Sequence, residues 1–86
     1  MSNDVHSTIP LTEVVVAVDL NGVTHQLCTV GEAVRFMTTA VQYVQDSLEY
    51  REARKSLEQA AADAFHVHYA VKSLRNFLSK ERLLVA

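Results

Sequence analysis

The stretch "DAFHVHY" sets Asp63, His66 and His68 within six positions, and carboxylate plus imidazole is the donor set that holds zinc and related metals. Spacing decides whether they converge. On a helix, residues two apart point to nearly opposite sides, which separates His66 from His68, whereas Asp63 and His66, three apart, share a face. Only a helix break here would turn all three one way; otherwise the histidines cap or pack at a helix junction. A second candidate is Cys28 with His25, a thiol near a base. Residues an odd number apart on one strand project to opposite faces, so this pair is also divided, and Cys28 reads as a small apolar filler. Gly22 and Gly31 are the only glycines, too few for a phosphate-cradling loop. Glu49, Glu52 and Glu58 alternate with Arg51, Arg54 and Lys55, the pattern of a solvated helix face. No nucleophile, base or metal shell converges, and the expectation is a protein without catalytic activity or cofactor.

Cations gather late in the chain. Residues 1–50 hold one basic residue, Arg35, against six acidic ones, and residues 51–86 hold seven against four. Lys72, Arg75 and Arg82 follow i, i+3 and i+10, with Tyr69 one turn earlier and Lys80 nearby. Cations beside an aromatic ring can hold a nucleic-acid backbone, although cations late in a helix also suit its dipole. The overall formal charge of −2 supplies no general attraction for polyanions.

The elements that position these groups follow from the apolar pattern. "TEVVVAVDL" is rich in β-branched valine, and Asn21-Gly22 suits a two-residue type I′ turn. That register pairs Leu20 with Val23, Val18 with His25, Val16 with Leu27 and Val14 with Thr29. It puts Val14, Val16, Val18, Leu20, Val23 and Leu27 on a core face. The other face then carries Val15, Ala17, Asp19, Thr24, Gln26 and Cys28, and Val15, Ala17 and Cys28 form a second apolar strip that needs a partner. Thr29 stands three residues before Glu32, a capping box that starts a helix. Apolar stripes at helical spacing follow: Ala33, Met37, Ala40 and Val44; Tyr50, Ala53, Leu57, Ala60 and Ala64; Val67, Val71, Leu74 and Leu78 with Phe77. Breaks are expected near Gln45–Glu49, with Asp46 or Ser47 as N-cap, and near His66–His68. The predicted fold class is α+β, an antiparallel two-stranded hairpin on about three helices, in a single domain over residues 11–86. Residues 1–10, ending in the only proline, read as a flexible tail.

At 86 residues, about half of them apolar, the chain has material for one modest core. Its longest apolar run, Val14–Val18, is far short of a membrane span. "MSNDVHSTIP" has neither the basic start nor the apolar run of a secretion signal, and Cys28 is the only cysteine, which together point to a cytoplasmic protein.

The order "VVVAVDLNGVTHQLCTVGEAVRFM", "YREARKSLEQAAADA" and "YAVKSLRNFLSKERLLV" resembles a small family of uncharacterised proteins, domain of unknown function 982, common in rhizobia and related soil bacteria. The shared features are a short hairpin, a V-x-E-A helix start at Val30–Ala33 with Phe36 and Met37 after it, an alanine-rich middle helix over Ala53–Ala64, and a last helix with an apolar-aromatic motif over Tyr69–Leu78. The resemblance spans nearly all of residues 12–85. It implies a bacterial origin and carries no activity, cofactor or site residue. From the second hairpin face, the functional expectation is a protein-interaction or self-association module whose partner is another protein or a second copy, a homodimer forming through the hairpin at Val15, Ala17 and Cys28 by edge pairing or by stacking of these faces. The alternative is a nucleic-acid accessory protein using Tyr69, Lys72, Arg75 and Arg82.

Overall fold

The computed structural model describes residues 8–41 and 47–85. Two strands, β1 (Pro10–Val18) and β2 (Thr24–Thr29), form an antiparallel hairpin. Three helices follow: α1 (Val30–Thr39), α2 (Leu48–Ala62) and α3 (Val67–Lys80), with a three-residue 3₁₀ turn over Ala64–His66 between the last two. The helices lie on one face of the hairpin, so the fold is α+β. The strand begins at Pro10, and the Ile9 carbonyl accepts a 2.9 Å hydrogen bond from the Val30 amide, so positions 9 and 10 belong to the fold. Residues 1–7 of the expected tail lie outside the described residues.

The hairpin turn differs from the expected one by a single residue. Val18 pairs with Thr24, Ala17 with His25, Val16 with Gln26 and Val15 with Leu27. The Asp19 amide donates to the Val23 carbonyl at 2.9 Å, and the Gly22 amide donates to the Asp19 carbonyl at 3.0 Å. Leu20, Asn21 and Gly22 therefore form a three-residue loop, and only Gly22 takes a positive φ, +81°. This is a turn closed by a left-handed glycine bulge, and only one left-handed residue is needed. The Asp19 carboxylate settles the choice, because its Oδ1 accepts the amides of Asn21 (2.8 Å) and Val23 (3.0 Å).

One extra loop residue exchanges the two faces of β1 relative to β2, whose Leu27 stays on the core side. Val15, Ala17 and Leu27 are buried against the helices, while Val14 is half exposed and Leu20 and Val23 are exposed. The expectation that Val15 and Ala17 form a surface strip is thus overturned, and so is the assignment of Val14 and Val16 to the core, while Val18 is partly buried against it. Hydrophobicity alone does not distinguish the two registers, since both faces of "VVVAV" are apolar.

The helical portion follows the sequence pattern, except that α1 ends at Thr39, ahead of the break expected near Gln45–Glu49. Thr29 Oγ1 accepts the Glu32 amide at 3.2 Å while Glu32 Oε1 accepts the Thr29 amide at 3.2 Å, completing the capping box. Ser47 caps α2 through a 3.0 Å bond from the Tyr50 amide. Asp46, the other expected cap, and Val44 lie outside the described residues. α2 ends three to four residues before the expected break, at Asp63, whose side chain accepts the Phe65 amide and starts the 3₁₀ turn. Ala53, Leu57 and Ala60 of α2 and Ala70, Val71, Leu74, Phe77 and Leu78 of α3 are buried, the alanines letting the two helices approach closely. Ala64, by contrast, is exposed.

Two further devices close the core. Tyr50 is buried with its ring edge against Phe77, centroids 5.6 Å apart, and its hydroxyl donates to the Met37 carbonyl at 2.8 Å. That carbonyl lies in the last turn of α1, where no later helical amide reaches it. At the far end, α3 finishes in a Schellman motif: the Leu83 amide donates to the Leu78 carbonyl (2.7 Å) and the Arg82 amide to the Ser79 carbonyl (3.1 Å). Arg82 takes the left-handed position, φ 60°, where glycine is usual. The chain then runs along β1, with the Val18 amide donating to the Leu83 carbonyl and the Val85 amide to the Val16 carbonyl, both at 2.8 Å.

Two substitutions test this arrangement. Val15→Lys, harmless if Val15 faced solvent, is expected to unfold the protein, because an unpaired buried charge costs several kcal/mol, on the order of the whole stability of a small domain; circular dichroism at 25 °C reads the outcome. Tyr50→Phe strands the Met37 carbonyl and is expected to cost about 1–3 kcal/mol, a drop in Tm of roughly 4–8 °C per kcal/mol, seen in a thermal melt.

Candidate interaction surface

With the register as found, the hairpin face turned away from the helices carries Val14, Val16 and Val18 from β1 and Thr24, Gln26 and Cys28 from β2. Val85 lies beside Val16 through its backbone bond and is exposed. None of these residues is charged. A solvated sheet face ordinarily alternates with polar and charged side chains, so an uncharged row of valines is the unusual feature. The second apolar face expected from the sequence therefore carries Val14, half exposed, beside the partly buried Val16 and Val18, in place of Val15 and Ala17. Of the three residues singled out, Cys28 alone is on it, exposed rather than buried as filler.

The opposite face at the same end holds His25. Its Nε2 lies 2.8 Å from Asp19 Oδ2, and its ring meets Phe36 edge-on at 5.1 Å. His25 and Cys28 are thus divided by the sheet, and no thiol–imidazole pair forms. The Asp19 carboxyl is held below its usual value by the hydrogen bond from His25 and then by the backbone amide of Val23. A group whose pKa is depressed by folding binds fewer protons in the native state, so its contribution to stability is present above the ordinary carboxylate range and is lost as pH falls through the depressed value.

The C-terminal cations are only partly brought together. Lys72 and Arg75 line a shallow groove of about 510 Å³ with Ser73, Asn76 and Ser79. Arg75 is already 3.4 Å from the Glu13 carboxylate, and Lys80 donates to Glu49 at 2.9 Å. Tyr69 is exposed, its ring tilted 38° to that of His68 with centroids 3.9 Å apart, and it does not line the groove. Arg82 falls beyond the helix, which ends at Lys80, so the i+10 spacing does not extend the stripe. At the α2–α3 junction, Asp63 Oδ2 is 3.6 Å from His66 Nδ1, while His68 turns to Tyr69. Among the described residues no three His, Cys, Asp or Glu side chains gather closely enough to hold a metal ion. No described helix is long and apolar enough to cross a membrane.

The Asp19 linkage is testable by acid titration. Asp19→Asn is expected to unfold at lower temperature than the parent at pH 7 and to flatten the acid limb of the stability profile below about pH 4, measured by thermal melts across pH 2–7.

Comparison of the chain with protein-family models, curated proteins and solved structures returns no match.

Proposed function

We propose that the chain is a non-catalytic interaction module that associates with a second copy of itself through the outer face of the hairpin. The uncharged row in which Val14 and Val85 are exposed, beside the partly buried Val16 and Val18, supports this reading. A face without charges requires no complementary charge on its partner, and a two-fold axis can lay it against its own copy. Its size sets the strength. A strand of six residues is about 20 Å long, and two strands with the adjoining chain are about 15 Å wide. The resulting patch, on the order of 300 Å², is well under the ~800 Å² per partner of a stable interface. The association is therefore weak and dependent on concentration. Membership of the domain of unknown function 982 family, a bacterial origin and a cytoplasmic location belong to the same proposal.

Sedimentation of the parent is expected to show a reversible monomer–dimer equilibrium in the high micromolar range. Val14→Glu, at the half-exposed valine of the row, should leave a monomer with Tm changed only slightly, since surface substitutions shift stability by about 0.5 kcal/mol or less. A parent that sediments as a monomer at all workable concentrations removes this reading.

The groove that joins Lys72 and Arg75 with Ser73, Asn76 and Ser79 favours one alternative, a nucleic-acid accessory role. Affinity for single-stranded DNA or RNA should then fall steeply with salt and weaken in Arg75→Ala. No binding at low salt ends it.

A further inference from the structure

β2 is paired on one side only. Its neighbour β1 takes the chain around Leu84 on its own far edge, and no described strand lies along the outer edge of β2. The ladder shows which groups are bare there. Asp19/Val23 is a hydrogen-bonded pair, and by alternation so are Ala17/His25 and Val15/Leu27, leaving the amides and carbonyls of Thr24 and Gln26 directed outward. The next outward amide, that of Cys28, is occupied by Glu32 Oε1 at 2.7 Å.

Alongside this edge runs a groove of about 410 Å³ between β2 and α1, lined by Gln26, Leu27, Arg35, Phe36 and Thr39 among others. Arg35 is the one basic residue in the first fifty. It is exposed and pairs with no carboxylate among the described residues. Glu32, which also lines the groove, caps α1, and the carboxylate of Asp19 holds His25. The groove thus offers two kinds of unused valence, a short open strand edge and a single unmatched guanidinium.

We propose that this groove receives an extended acidic peptide as an added strand. Its main chain pairs with Thr24 and Gln26, and a carboxylate on the side facing α1 meets Arg35. The space selects a bare strand over a second copy. A copy pairing through its own β2 edge brings its own α1 to the same sheet face, a cylinder about 15 Å long and 10 Å across, which a groove of about 410 Å³ does not hold. A peptide strand sends only alternate side chains into it. This edge is separate from the outer valine face, so the two interactions are independent.

The test is fluorescence anisotropy with a labelled Ser-Thr-Val-Glu-Val-Thr-Ser peptide, its counterpart with Lys in place of Glu, and a third peptide N-methylated at the amides flanking Glu. The Glu peptide is expected to bind about tenfold more tightly than the Lys peptide, the gap of one charge-assisted contact. Arg35→Gln should erase that preference and N-methylation should abolish binding, while Val14→Glu leaves binding unchanged whatever it does to self-association. Equal affinity for the Glu and Lys peptides, a preference that survives Arg35→Gln, binding that survives N-methylation, or no binding of any peptide at millimolar concentration overturns the proposal.

Discussion

The Asp19 carboxylate accepts the amides of Asn21 and Val23 and the His25 ring, and the register of the hairpin depends on that small set of bonds. With both faces of β1 apolar, burial alone gives little preference for one register over its neighbour. The turn supplies it: five residues from Asp19 to Val23 are tied by a side chain and one left-handed glycine, and the pairing beyond is counted from there. Which valines enter the core and which meet solvent follows from this count.

A second constraint operates where the helices meet. α1 ends beside α2, and a helix end needs partners for its last carbonyls. Tyr50 provides one to Met37 while filling space beside Phe77, and Arg54 Nη1 donates to the same phenol oxygen at 3.1 Å. One aromatic side chain thereby satisfies a polar group and joins all three helices. Alanines at positions 53, 60 and 70 then set the distance between α2 and α3.

Much of this was legible in the amino acids. The capping box at Thr29 and Glu32, the cap at Ser47 and the buried stripe Val67, Val71, Leu74, Phe77 and Leu78 follow from local chemistry and a period near 3.6, and the structure reproduces them. The hairpin register was not. Asn-Gly fits both a two-residue turn, with two left-handed positions, and a three-residue loop that needs only the glycine. The deciding term is a side chain just outside the dipeptide, Asp19. The outer sheet face is foreseen in kind, because a two-stranded sheet covered on one side must leave the other open, and its β2 residues, Cys28 among them, stand as expected, while its β1 residues are exchanged by that one-residue difference. Helix spacing likewise aligned Arg82 with Lys72 and Arg75, yet α3 ends before Arg82 is reached. The groove beside β2 gave no sequence signal, since it arises from where α1 lies relative to an edge.

The pairing of Ala17 with Leu84 joins segments from opposite ends of the described chain. The edge of β1 is completed only when α3 has docked and its Schellman turn has sent Leu83–Val85 back along the strand. Closing so long a loop is entropically late in folding, and it makes the hairpin and the last helix a single cooperative unit. The Val18 amide, bound to the Leu83 carbonyl, is consequently a natural reporter of that unit: its solvent exchange tracks the opening of both ends together rather than fraying of the hairpin alone.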